Sequence, residues 1–433
     1  MALAIGAAFL TGFPVVSLLR VRSVQGGGLL GTAFFLGVVS LALWTHLLLL
    51  VRIPVTVASV LSGPLLAGAG AAWKGDRSVF AVTWSRPSVQ ALPVLLSAFF
   101  ALLIAVSWTR LGSDGEAVYS LKARSIAYYG TFWNPDFTDP ARLHPASRRP
   151  LLLPCLYADL FMLTGSFGVR PLRLWLAFLH IASLGLLYER ARPRMMWLAV
   201  FAWIPAYWRQ VQGVCTGFPD ATLGVLFLLG VDAIRREERG LAILSLSAAV
   251  LLKQDAWAFP IAIALGTLAS DRLRLRTLVG TLSIPVLLAL VWMAIARHLT
   301  ASFDFLPGQF DPANLLGSPR RWPLALSRLA SEIVKPKHWG LFWWAGLLGV
   351  ILNVHRLGRR DARWLLIVLF QGAAYVLVWS TYPRDQLRSW MDVQDMRLLL
   401  HLLPMVWMWL AIKDQETPQA PPEPRSTAVP GQA

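Results

Sequence analysis

The chain has 433 residues, 56% of them hydrophobic and 15% charged, with a mean hydropathy of +0.56. That balance excludes an ordinary soluble domain and points to a polytopic membrane protein, in which length counts spans rather than domains. The formal charge of +17 does not mark a nucleic-acid surface, because the basic residues fall in short clusters between apolar runs.

The clusters are "RVRS" from Arg20, "ERARPR" from Glu189, "RREER" from Arg235, "DRLRLR" from Asp271 and "HRLGRRDAR" from His355. Their placement follows the positive-inside pattern, so the charge reads as topology. The amino terminus, "MALAIGAAFLTGFPVVSLL", lacks a basic leading region and fits a first span better than a cleaved signal peptide. A crossing helix needs about 20 apolar residues. In chain order the candidate spans are 2–19, 27–50, 53–72, 89–109, 172–188, 195–207, 218–234, 241–252, 256–270, 277–296, 338–354, 364–380 and 398–412. The expected fold is therefore all-α, an integral membrane bundle of about 12–13 transmembrane helices.

Placing the Arg-rich clusters in the cytoplasm sends the loops 110–150, 208–217, 253–255, 297–337 and 381–397 to the other side. The alternation holds only if 151–165, "LLLPCLYADLFMLTG", does not cross. That run is short and contains Pro154 and Asp159, as expected of a helix lying at the interface or dipping back into the protein. No span is expected to carry a midplane Asp, Glu or His, so a coupled-ion relay is not indicated. The organisation expected is an amino-terminal group of spans over 1–88, a main module over 89–412 and a Pro-rich, disordered cytoplasmic tail over 413–433. Cys155 and Cys215 make no ligand spacing, which implies neither a disulfide framework nor a zinc site.

Chemistry-bearing residues concentrate on the non-cytoplasmic side. Asp114 follows a span almost at once, and if the next stretch is α-helical, positions 114, 118 and 122 share a face, with Lys122 about two turns from Asp114 and Glu116 pointing elsewhere. A base for an acceptor hydroxyl with a cation further along for an anionic donor has this form, as does a solvated juxtamembrane helix. Arg148 and Arg149 in "HPASRRPLLLP" suit phosphate through their planar forks, or lipid headgroups as anchors. His144 in the same motif reads as a loop residue, with a metal or catalytic role as the alternative.

Asp220 heads a span, where a helix dipole also favours an acid. Asp255 lies beside Lys253 as a self-neutralising pair. Arg397 stands at the mouth of the last span, just after Asp392 and Asp395. Trp133, Trp208 and Trp390 suit either an interfacial aromatic belt or sugar stacking.

Taken in order, these motifs resemble the GT-C superfamily of membrane glycosyltransferases that use polyprenyl-phosphate-linked sugars. The resemblance is to the bacterial branch of protein O-mannosyltransferase-like and aminoarabinose transferase-like enzymes. It rests on "DGEAVYSLKAR" with Asp114, Lys122 and Ala123, on "HPASRRPLLLP", on Asp220, on "KQD" from Lys253 to Asp255, and on "MRLLLHLLP" with Arg397. It covers roughly 90–412. The chain departs from the family in the Gly115 that separates Asp114 from Glu116, in about three spans before the catalytic loop, and in lacking a large soluble carboxyl-terminal domain.

The resemblance implies an inverting transfer at the extracytoplasmic face of the bacterial inner membrane, with Asp114 as the base. It implies that Lys122, Arg148, Arg149, Lys253 and Arg397 bind the donor phosphate, and that Glu116, Asp220 and Asp255 position the acceptor or a divalent cation such as magnesium or manganese. The partners implied are a polyprenyl-phosphate sugar donor, a glycolipid, polysaccharide or protein acceptor, and membrane lipids, with no nucleic acid. A lipid-linked-sugar flippase and a non-catalytic envelope-assembly protein are the rival readings.

Overall fold

The computed structural model describes residues 1–19, 21, 26–73, 92–107, 110–112, 114–139, 149–190, 211–213, 215–270, 275–299, 317–353, 358–382 and 397–410. Among these the chain is all-helical, with no strand. Four helices are long and apolar enough to cross a membrane: Gly28–Leu50, Val169–Leu187, Arg276–Ala296 and Ala362–Ser380. Seven shorter apolar helices accompany them, among them Leu152–Thr164, Arg239–Leu252 and Arg397–Leu410.

The first helices pack through small residues. Helix α1 (Ala2–Leu18) lies against α2 (Gly26–Leu50), and a methyl group at Gly12 would sit 1.7 Å from the Ala33 carbonyl oxygen. At Gly37 it would sit 1.8 Å from the oxygen of Ala8. Backbones this close gain dispersion and weak C–H···O contacts that larger side chains would forbid, which is how apolar helices associate where burial itself supplies little drive. The other side of α2 meets Val169–Arg190, with Gly31 against the Ala182 carbonyl.

The apolar run 151–165 forms the helix Leu152–Thr164, in which eleven of thirteen residues are buried. Of the two sequence readings, burial favours the helix that dips into the protein over one lying on its surface. It packs on α2 and on Leu121–Tyr129, and its Asp159 accepts a 2.6 Å hydrogen bond from Thr45 on α2. The expectation that no span carries a midplane Asp, Glu or His is corrected here. His180 lies near the middle of Val169–Leu187 and is buried, and on the same helix buried Arg173 donates to the Ile104 carbonyl at 2.5 Å.

Two ion clusters mark opposite ends of the helix Asp220–Arg235. At its far end Asp232, 0% exposed, takes Arg190, Arg235 and Arg236, and Arg190 reaches Glu238 at 2.9 Å. Three guanidiniums around two acids tie together the ends of three helices. A buried carboxylate tolerates this place only because it is paired. Twelve residues back, about 18 Å along the axis at 1.5 Å per residue, Asp220 anchors the second cluster.

Candidate functional site

Asp114 precedes a π-helix, Gly115–Ser120, rather than an α-helix. In a π-turn the ladder runs i to i+5, so the 114/118/122 alignment expected from the sequence does not hold. Tyr119, five positions after Asp114, is carried into the cluster instead. Gly115 is what allows the turn, because a methyl group there would lie 2.1 Å from the Thr216 carbonyl oxygen.

The segment around 216 is wedged in place. Gly112 N–H donates to the Thr216 carbonyl at 2.8 Å, Tyr157 Oη donates to the Gly217 carbonyl at 3.2 Å, and Gly217 has φ +86°. An L side chain is strained in that left-handed region. Three residues later Asp220 opens its helix, so the wedge fixes Asp114 and Asp220 relative to each other.

The last helix completes the arrangement. Arg397 and His401 are one turn apart and share a face. Gly224, one turn after Asp220, lets that face approach, since a methyl group at 224 would be 2.6 Å from the Leu400 carbonyl oxygen. Arg397 Nε donates to Asp220 at 2.9 Å and Nη1 to Asp114 at 2.8 Å, while its guanidinium lies 4.5 Å over the Phe218 ring. His401 Nε2 is 3.0 Å from Asp220, and its Nδ1 is 2.8 Å from Tyr375 Oη. Lys253, extended at the end of Arg239–Leu252, bridges Asp220 at 2.7 Å and Asp255 at 2.5 Å. Arg149 stands 3.8 Å from Asp114.

Six sequence-selected residues thus meet: Asp114, Arg149, Asp220, Lys253, Asp255 and Arg397. Glu116 is exposed, in keeping with its expected outward direction. Lys122 is completely buried on the following helix, a position an ammonium accepts only with a partner. Arg148, His144, Asp392, Asp395, Trp208 and Trp390 lie outside the described residues. Trp133 stacks under Arg52 at 5.0 Å. Tyr119, Tyr157, Phe218, Tyr375 and His401 were not singled out by sequence. The i+4 step from Arg397 was the available sign for His401.

Charge explains the cluster's cohesion. Three acids face three bases, and His401 adds a neutral or cationic ring. Burial alone would pull the Lys253 ammonium down, but Asp220 and Asp255 outweigh it and hold its pKa above the ordinary lysine value. Burial would push Asp255 up, yet Lys253 beside it brings the carboxyl below its usual range. Arg397 loses solvation too and is held more firmly protonated by Asp220 and Asp114. Tyr119 is pushed up by burial, with Arg149, Lys253 and Arg397 opposing, so its hydroxyl stays protonated.

Among the buried polar atoms that have no hydrogen-bond partner within the described residues are Tyr119 Oη and Arg397 Nη2. A buried donor left unmade costs about 1–3 kcal/mol, so both are set to take an acceptor from outside the chain. As for a metal, Asp220, Asp255 and His401 offer ligand atoms within 4.8 Å of one another. The Lys253 ammonium already fills the place between the two carboxylates, so a divalent ion fits this donor set poorly.

No protein-family model, no curated protein and no solved structure matches the chain.

Proposed function

We propose that the chain is a multi-span, GT-C-like membrane glycosyltransferase of about 12–13 transmembrane helices that moves a sugar from polyprenyl phosphate to an acceptor hydroxyl outside the cytoplasm. The observation that carries the reading is the meeting of Asp114, Arg149, Asp220, Lys253 and Arg397 from separate segments at one end of the bundle. A structural ion lock needs no partly open carboxylate, whereas Asp114 is 27% exposed at the cluster's edge.

In the proposed step Asp114 takes the proton of the acceptor hydroxyl as that oxygen bonds to the anomeric carbon. The bond from that carbon to the phosphate oxygen breaks, and the electron pair leaves with the phosphate. Arg149, Arg397 and the Tyr119 hydroxyl meet the developing charge, an effect strong in a site already oriented for it. Asp220 positions Arg397 and Lys253. No step passes through a metal.

The donor's tail has a candidate berth. A cavity of about 250 Å³, lined by Trp343, Leu347, Trp364, Val368, Met405 and Trp409, lies along the last helix. Its Met405 is eight residues, about 12 Å, below Arg397.

The test is Asp114→Asn in purified protein supplied with radiolabelled polyprenyl-phosphate sugars and a cell-envelope extract as acceptor. Transfer is expected to fall about 10²–10⁴-fold with donor still bound. Unchanged transfer overturns the assignment of the base. Movement of intact donor across proteoliposomes, equal in both proteins and without transfer, would establish a flippase instead.

A further inference from the structure

Opposite the Asp114 cluster, a second cavity of about 200 Å³ opens among helix ends and is lined in part by Ile234 and Leu278 together with the polar residues Glu237, Arg239, Thr277, Thr281 and Arg363. We infer that it is a binding site for the phosphodiester headgroup of an anionic phospholipid. Nothing in the transfer reading uses it, and it stands or falls separately.

Its position argues for a lipid. Two of its walls are the starts of Arg276–Ala296 and Ala362–Ser380, long apolar helices of which only 33% each is buried within the protein. Such helices face lipid, so a pocket at their ends lies at headgroup depth. Basic pockets between helix ends are a known way for membrane proteins to hold acidic headgroups.

Its chemistry argues for an anion: among the described charged residues that line it, Arg239 and Arg363 outnumber Glu237. Thr277 adds an exposed hydroxyl on the same wall, whereas the Thr281 hydroxyl spends its one proton on the Thr277 carbonyl at 2.8 Å.

Arg239 is exposed, and one backbone contact orients it. Arg239 Nη2 donates to the Gly280 carbonyl at 3.0 Å, and a methyl group at 280 would come within 2.7 Å of that nitrogen. The glycine therefore lets the guanidinium lie across the helix. One of five guanidinium N–H groups is used there, and the rest have no protein acceptor among the described residues.

The experiment is native mass spectrometry of the full chain after delipidation, titrated with phosphatidylglycerol, with phosphatidylcholine as the zwitterionic control and inorganic phosphate as competitor. Wild type is expected to prefer phosphatidylglycerol. The pair Arg239→Gln and Arg363→Gln is expected to lose about 25-fold in apparent affinity for it, about fivefold per guanidinium, with phosphatidylcholine unchanged. Thr277→Phe, which fills the cavity and leaves every charge in place, is expected to lose the preference too, so the inference survives a charge variant that fails to fold. Undiminished phosphatidylglycerol binding in Thr277→Phe, or no preference in wild type, overturns it. Displacement by millimolar inorganic phosphate assigns the cavity to a soluble anion and also overturns the lipid.

Discussion

Replacing Asp220 with Asn keeps the size and one acceptor oxygen but removes the charge that faces three donors at 2.7–3.0 Å. Asp220 is 1% exposed, Lys253 8% and Arg397 15%, so its partners cannot turn to water. Breaking a buried pair from one side costs about 3–5 kcal/mol. Here both cations keep a second acid, Arg397 with Asp114 at 2.8 Å and Lys253 with Asp255 at 2.5 Å. The loss should therefore lie at the low end, about 3 kcal/mol, or about 140-fold in the folded-to-unfolded ratio. Asp255→Asn makes the comparison, because that carboxylate is 26% exposed and its loss should cost about 1 kcal/mol. Adding Lys253→Met to Asp220→Asn removes an ammonium that only Asp255 still balances and, since Asp255 at 26% exposure can turn to water, should cost no more than about 1 kcal/mol further. Unfolding by sodium dodecyl sulfate in mixed micelles, followed by tryptophan fluorescence, measures all three. Equal costs for the two single variants, or a double variant that loses as much again as Asp220→Asn, would refute the view that Asp220 is the cluster's central charge.

Gly115→Ala should destabilise the protein and abolish the proposed transfer, since its methyl would meet the Thr216 oxygen and displace Asp114; a melting curve and an activity assay together check this. Gly224→Leu should leave Asp114 in place but push the last helix away, so that cysteine cross-linking between the 220 and 401 positions fails. The pH dependence of stability follows from two groups. The Asp255 carboxyl sits below its ordinary 3.8, so its contribution is present above that value and is lost as pH falls through the lower folded one. The Lys253 ammonium sits above its ordinary 10.5, so its contribution is present below that value and is lost as pH rises through the higher folded one. The unfolding midpoint should thus be flat from about pH 5 to 9 and, in Asp255→Asn, should lose part of its acid limb.

The helices were legible because apolar runs and their basic punctuation are local properties. Asp114, Asp220, Lys253, Asp255 and Arg397 were legible because charge at a span's edge is costly unless used. The turn after Asp114 was not. Its π geometry depends on Gly115 meeting Thr216, a hundred residues away in the chain, so an i+4 reading chose position 118 and overlooked Tyr119. His401 was hidden inside an apolar run, and Tyr375 and Phe218 gain a role only through partners far along the chain. The small-residue seam of Gly12 and Gly37 was equally silent, since a glycine shows what it admits only once the facing backbone is present.

The close crossing at Gly224 has a consequence for biosynthesis. Arg397 and His401 emerge from the ribosome roughly 180 residues after the aspartate they clasp. Until then Asp114, Asp220 and Asp255 confront Arg149 and Lys253 alone, one positive charge short. The nascent bundle must therefore wait, with a carboxylate unsatisfied and a slot open along the Asp220 helix, until the closing helix slides in. A chain stalled before that moment should remain a client of the membrane-insertion machinery.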